Sequence, residues 1–359
     1  MKKNFIIIFF IVVALGFWTW ADGWWSPKEE DKKMISAASA GVGVTAVEKN
    51  VGYLAQYNFE NLKTRINKAS EIKTIGQVLT VMEARKELVK RGDLKGKTFD
   101  FESRAISFES NGKKISGMMN LPVWYENKKS PVVIMIRGFA DSEGYFIGSG
   151  SWKVADELAR NGFVTVSLDF LGFGLSDGES KDILEARFEK PVGVLDLIES
   201  VKKLDFVDSN KIGIWAHSNG GQIAISILEI TSKNYPTVLW APMTNPFPNS
   251  VLDTMDENSE SGKIVKTRID EFEKEYDSNL YSIDNFYNWV GAPILIHQGT
   301  ADVWCKVEWQ QNLQSKLKEL GKEVVLDIRD GNDHNLKQNW DEVMEQDIIF
   351  FKEKFDIIR

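Results

Sequence analysis

From Phe101 onward the chain alternates short apolar runs with longer stretches of helical periodicity, and that alternation admits very few architectures. The runs PVVIMIR (131–137), FVTVSLDF (163–170), KIGIWAH (211–217) and APILIHQG (292–299) are apolar nearly throughout. A strand with one wet face alternates with period two. These runs do not, so they read as strands buried on both faces, as in a parallel sheet covered by helices. Helical patterns fill 151–161, 187–204, 220–231, 306–320 and 338–355. Further strands are expected at 101–109, 114–121, 236–241 and 323–329, the first two joined at Asn111-Gly112 as a hairpin. The sum is an α/β domain over 100–359, a mostly parallel, doubly wound sheet of about eight strands.

Two segments stand outside this rhythm. Residues 242–290 open with PMTNPFPNS, continue as a charged helix-prone stretch, and read as a helical lid inserted between two strands. The insertion holds ten acidic against four basic residues, together with Phe247, Phe272, Tyr276, Tyr281, Phe286, Tyr287 and Trp289. Either it is a solvated flap packed by its own aromatics, or it touches substrate. Residues 47–99 read as an N-terminal helical extension. Val47, Val51 and Leu54, then Ile72, Ile75, Leu79 and Met82, fit two amphipathic helices, the second ending at Gly92.

Ahead of it, residues 22–46 mix charges with small residues and read as a tether. Lys2 and Lys3 precede the apolar run FIIIFFIVVALGFW (5–18). Residues 1–21 are therefore either a signal peptide cleaved after Ala21 or a retained membrane anchor, with Trp18, Trp20, Trp24 and Trp25 as its interfacial belt. Both readings place the remainder outside the cytoplasm, secreted or held at the membrane by one N-terminal helix. No cysteine near residue 21 allows a lipoprotein.

Charge and rare residues narrow the function. With 44 basic and 52 acidic residues the net charge is −8, and no basic block is present, so nucleic acid is not an expected partner. A single cysteine, Cys305, excludes an intramolecular disulfide and a clustered-thiolate zinc site. No metal or cofactor is expected. Gly92–Thr98 is one residue short of a phosphate-binding loop, and Gly172–Gly178 departs from the dinucleotide fingerprint in its last gap. Three histidines remain, His217, His297 and His334.

The strand KIGIWAH runs into Ser218-Asn219-Gly220-Gly221 and then the helical QIAISILEI. A serine on a sharp strand-to-helix turn needs small residues two before and two after it; here they are Ala216 and Gly220. A hydroxyl needs a base to become a nucleophile, and the base needs an orienting acid. His217 adjoins the serine and points away from the place a base must occupy, while His297 lies inside a buried strand. His334, in the polar loop Asp-Gly-Asn-Asp-His-Asn, is the expected base. The acid is best read as Asp302, where APILIHQG gives way to a loop, with Asp330 and Asp333 as competitors. Oxyanion donors are expected from the backbone N–H groups of Asn219 and of Phe139, in the loop after PVVIMIR.

RGFADSEG, SLDFLGFGLSDGES, WAHSNGG, HQGTAD and NDHN occur in that order, and with them the chain resembles the α/β-hydrolase superfamily. It is most similar to the prolyl-oligopeptidase catalytic domain and to related single-domain, dienelactone-hydrolase-like and cinnamoyl- or feruloyl-esterase-like enzymes. The resemblance implies Ser218 as nucleophile, Asp302 and His334 as its partners, and Phe139 and Asn219 as oxyanion donors. Three departures stand out. Arg137 replaces a usual histidine, Val303-Trp304-Cys305 replaces the usual Val-Pro, and residues 26–99 are too short for the propeller of the oligopeptidases. The expected activity is hydrolysis of a carboxylic ester, or of a short peptide or acyl-peptide, through an acyl-enzyme. A catalytically silent surface binding module and an acyltransferase are the alternatives. The acidic insertion would weakly disfavour anionic substrates.

Overall fold

The computed structural model describes residues 52–75, 101–123, 129–256 and 258–357. The signal or anchor, the tether and the later part of the expected second extension helix lie outside the described residues. None of the described helices is long and apolar enough to cross a membrane.

A 3₁₀ turn at Tyr53–Tyr57 leads into helix α1 (Phe59–Thr64) and strand β1 (Lys73–Thr74). The hairpin β2 (Phe101–Ser110) and β3 (Lys113–Pro122) follows, then β4 (Ser130–Ile136), α2 (Trp152–Arg160) and β5 (Val164–Leu168). Helices α3 (Ile183–Phe188) and α4 (Lys190–Val201) precede β6 (Val207–His217), α5 (Asn219–Thr231) and β7 (Thr237–Trp240). The insertion carries α6 (Asn249–Leu252) and α7 (Glu260–Glu275). The chain then completes β8 (Ile294–Gly299), α8 (Val307–Glu319), β9 (Val324–Arg329) and α9 (Trp340–Lys354).

The nine strands form one sheet in the order β1-β2-β3-β5-β4-β6-β7-β8-β9. Pairing is antiparallel from β1 to β5 and parallel from β5 across to β9. All eight expected strands form. Side chains of the central strands divide between two cores. Ile134, Ile136, Ile214 and Leu239 pack with residues of α4 and α5, whereas Val133, Met135, Trp215 and Val238 pack with residues of α2 and α9. Burial on both faces is the physical reason these runs lack alternation.

One expectation is corrected. Residues 72–75 are extended, not helical: Lys73 and Thr74 pair with Ser107 and Ile106 of β2, and the Ile75 N–H donates to Ala105 O. The i, i+3 spacing of Ile72 and Ile75 fits a helix, but an open sheet edge offers ladder hydrogen bonds that a short helical turn cannot match. The chain before β1 is pinned by Arg65, whose guanidinium bonds both carboxylate oxygens of buried Asp196 at 2.7 and 2.8 Å.

The aromatics of the insertion turn inward. Phe247, Phe272 and Tyr281 surround Phe188 of α3 at ring separations of 5.3, 5.7 and 4.9 Å, and Phe286 stacks on Phe59 of α1 at 4.9 Å. The insertion is therefore packed against the body through its own rings. The strand order places the topological switch between β4 and β6, and the crevice at their carboxyl ends is where an open parallel sheet presents a site.

Candidate active site

Register alone brings the first residues together. Ile136 of β4 lies opposite Ala216 of β6, so the residues two further along, Gly138 and Ser218, leave the sheet side by side. A Cβ added to Gly138 would sit 2.7 Å from Ser218 Cβ and 3.3 Å from its Oγ. Ser218 has φ 55° and ψ −124°, a strained backbone that a serine holds only when its surroundings impose it. The restraint is visible. Ser218 N–H donates to Trp240 O at 3.0 Å, and its carbonyl accepts from Gly221 and Met243 N–H at 2.9 and 2.8 Å. The turn also requires Gly220, because a Cβ there would lie 2.4 Å from Ile136 O and 2.6 Å from Arg137 O.

Asp302 and His334 meet in loops beyond β8 and β9. His334 Nδ1 lies 2.8 Å from Asp302 Oδ2. Both oxygens of Asp302 are occupied: Oδ2 also accepts from Gln298 Nε2 at 3.1 Å, and Oδ1 accepts the Trp304 and Cys305 N–H groups at 2.8 and 3.1 Å. Burial alone would raise this carboxyl. The His334 bond and charge and the two backbone donors outweigh it and hold the carboxyl below its ordinary value. The carboxylate is thus ionised, accepts from Nδ1–H, and leaves Nε2 as the free basic nitrogen of His334. The His334 side chain is 16% exposed and that of Asp302 fully covered, so only the imidazole of this pair reaches solvent.

His217 and His334 sit with ring centroids 4.7 Å apart, which brings the His334 loop against the serine turn. The Ser218 hydroxyl makes no hydrogen bond among the described residues. His217 is no base. Burial, reinforced by the His334 charge, pushes it down to about 4, so it is neutral, and its Nε2–H donates to His334 O at 2.9 Å. It anchors the loop carrying His334. His297 is fully buried between Asp327 and Asp347, at 2.9 and 3.0 Å.

The donor side is equally defined. Asn219 is the first residue of α5, so its N–H belongs to the unpaired donors of a helix start. Among the described residues the Phe139 N–H has no acceptor. Arg137 is 5% exposed and makes no direct ion pair among the described residues; its guanidinium donates to Gly138 O at 2.9 Å and Asp169 O at 2.6 Å, over the Phe173 ring at 4.2 Å, and reaches the Asp169 carboxylate through Tyr145 Oη. A trans peptide is planar, so fixing the Gly138 carbonyl fixes the direction of the Phe139 N–H. Gln298, Gly138 and the anchoring part of His217 are site features that sequence reasoning missed. A glutamine ending an otherwise apolar strand was the available signal for the first.

Asp302, Cys305 and His334 offer ligand atoms within 4.8 Å of one another. They suit a metal poorly. Burial, helped by Asp302, pushes the Cys305 thiol far up, and the carboxylate lone pairs are already used. Phe139, next to Gly138, and Val303 and Trp304, next to Asp302, are 75%, 84% and 56% exposed and put apolar surface beside these residues.

Residues 148–357, which contain Ser218, Asp302 and His334, match the prolyl oligopeptidase family. The chain belongs to that family. A probable dipeptidyl peptidase 4 of Emericella nidulans is 26% identical over 209 residues, 54% of this chain and 25% of the relative. The chain spans between about a quarter and a half of the curated relatives it matches. Among solved structures, the acylaminoacyl peptidase of Pyrococcus horikoshii superimposes with TM-score 0.57 at 20% identity, covering 75% of this chain and 43% of that one. Acetyl xylan esterase 1 of Thermoanaerobacterium also gives 0.57, at 14% identity, over 84% of this chain and 93% of the esterase. At these identities the likeness establishes the α/β-hydrolase fold.

Proposed function

We propose that this protein is an extracytoplasmic serine hydrolase that cleaves a carboxylic ester, or a short peptide or acyl-peptide bond, through an acyl-enzyme. The observation that carries the reading is Ser218 held at φ 55° on the turn from β6 to α5, with the Asp302–His334 pair brought against that turn. His334 Nε2 takes the Ser218 proton as Oγ attacks the carbonyl carbon. The oxyanion is met by the N–H groups of Phe139 and Asn219, each worth roughly 3 kcal/mol in the transition state. The protonated imidazole gives its proton to the departing alcohol or amine, and water then repeats the sequence to release the acid. Asp302 holds the imidazole tautomer throughout.

An ester is the preferred substrate, because Phe139, Val303 and Trp304 present exposed apolar surface next to Gly138 and Asp302. Residues 1–21 deliver the chain across the membrane as a signal or anchor, 47–99 is an extension, and 242–290 is a lid inserted within the catalytic domain 100–359. The test is a panel of p-nitrophenyl esters beside aminoacyl and prolyl anilides, run with wild type and His334→Ala. Ester turnover that falls by roughly 10³ or more in the variant supports the reading. Unchanged turnover would place the base elsewhere.

A further inference from the structure

Arg137 follows β4, stands immediately before Gly138, and is buried with each of its side-chain nitrogens bonded. Nη1 donates to Gly138 O at 2.9 Å, Nη2 to Asp169 O at 2.6 Å, and Nε to Tyr145 Oη at 3.1 Å. The guanidinium carbon lies 4.2 Å from the centre of the Phe173 ring and 5.4 Å from that of Phe170. A Cβ on Gly150 would stand 3.1 Å from Arg137 Cβ and 3.3 Å from Cδ, so the chain also closes over the stem. Bonds, rings and a close backbone together fix a side chain that is among the most flexible when free.

The charges around Arg137 are arranged so that none of them pairs with it directly. Tyr145 Oη, which accepts from Arg137 Nε, donates to Asp169 Oδ1 at 2.9 Å. Gly148 N–H and Ser116 Oγ donate to the same carboxylate at 2.8 and 2.5 Å. Glu179 also feels the Arg137 charge, and so, with the opposite sign, does Lys190. The cation is therefore balanced through Tyr145 and at longer range, while its own contacts are two peptide carbonyls and a phenol.

One of those carbonyls belongs to the peptide that joins Gly138 to Phe139. Its oxygen faces Arg137, and in a planar trans unit its N–H points the opposite way. A cation bonded to a peptide oxygen draws electron density from the nitrogen and makes the N–H a stronger donor. Hydrogen bonds linked in this way reinforce one another by about 10–30% each. The gain is greatest when the N–H meets an anion, because charge then stands at both ends of the chain.

We propose that Arg137 is a positioning residue for the oxyanion, which it serves by orienting and polarising the Gly138–Phe139 peptide, with Tyr145 and Asp169 keeping its guanidinium out of a direct ion pair. The assignment deepens the hydrolase reading and rests on it for the anion. Arg137 touches no reacting atom. It favours the oxyanion over the neutral carbonyl, so its effect falls on the transition state and not on substrate binding.

Arg137→Gln removes the charge and Arg137→Lys keeps it; thermal melts establish that each variant is folded. The first readout is inhibition by an alkyl trifluoromethyl ketone beside the methyl ketone of the same chain length. Ser218 Oγ bonds to the fluorinated carbonyl carbon, the carbonyl π pair moves onto oxygen, and the serine proton passes to His334 Nε2. The methyl ketone stays trigonal. Arg137→Gln should weaken the trifluoromethyl ketone and lower kcat by a common factor of roughly tenfold or more. The methyl ketone should bind as before, and Arg137→Lys should recover part of both losses. Equal weakening of the two ketones, no recovery in folded Arg137→Lys, or unchanged kcat in folded Arg137→Gln overturns the assignment. Should Arg137→Gln not fold, Tyr145→Phe, which removes only the bond at Nε, decides by the same readouts. Joint loss of kcat and trifluoromethyl ketone affinity then supports the assignment, and either one unchanged overturns it.

The second readout needs no turnover. In protein isotopically labelled at the phenylalanine nitrogens, the Phe139 amide proton resonance should move upfield in Arg137→Gln. Ester hydrolysis without that shift leaves the hydrolase reading standing and overturns the part given to Arg137. The shift without any ester hydrolysis by the wild type overturns the hydrolase reading, and with it the oxyanion, leaving only a polarised peptide.

Discussion

Gly138→Ala puts a single methyl group between the two loops that make the site. The φ of Gly138 is not in the left-handed region, so an alanine backbone is tolerated there and the effect is steric. The new Cβ would stand 2.7 Å from Ser218 Cβ, 3.0 Å from His217 O and 3.3 Å from Ser218 Oγ. Carbon atoms in contact rest at about 3.5–4.0 Å, so one loop must retreat by roughly 1 Å. The serine turn is braced by three backbone hydrogen bonds, with Trp240, Gly221 and Met243. The loop carrying Phe139 is therefore the part that yields. A displacement of about 1 Å of a reacting or stabilising group costs on the order of 10²-fold in rate, equivalent to about 2.7 kcal/mol. The assay is steady-state hydrolysis of a short p-nitrophenyl ester with thermal melting of the same sample. kcat should fall about a hundredfold with a native-like melt. A folded Gly138→Ala with wild-type kcat would refute the placement of this loop at the reacting centre.

Asp302→Asn should preserve the fold but reverse the hydrogen-bond demand on His334 Nδ1, lowering kcat by about 10⁴-fold; a loss under tenfold would remove Asp302 from its role. Glu229, wholly buried in α5 with neither carboxylate oxygen partnered, is raised well above its ordinary value, by burial first and Asp284 second. A carboxyl raised on folding stabilises most below its unfolded value, near 4.3, and costs about 1.4 kcal/mol for each pH unit above that, up to its folded value. Glu229→Gln should therefore melt higher than wild type at pH 8, with the gain shrinking towards pH 5. An unchanged or lower melt at pH 8 would show that the carboxyl has a charged partner.

Much of this was written plainly in the chain. KIGIWAHSNGG carries strand, turn and helix in eleven residues because a buried parallel strand has no solvent face to mask its pattern. His334 could be singled out because only three histidines exist and two are held in other geometry. What stayed hidden depends on distant pairing. Residues 72–75 are strand because β2 offers an edge, a fact absent from their own periodicity. Arg137 sits where a histidine is usual, and a sequence cannot say that its guanidinium grips Gly138 O instead of an acid. The acidity of 242–290 dominated the charge pattern, yet its rings, not its carboxylates, line a cavity beside Asn219. Net charge along a chain does not report which side chains face inward.

The central claim is that Ser218 is the nucleophile, and active-site labelling tests it most directly. The full-length protein is treated with a fluorophosphonate, digested and mapped by mass spectrometry. The adduct is predicted on Ser218, in wild type only, with labelling abolished in Ser218→Ala. An adduct on another residue, or labelling that persists in folded Ser218→Ala, would contradict the account.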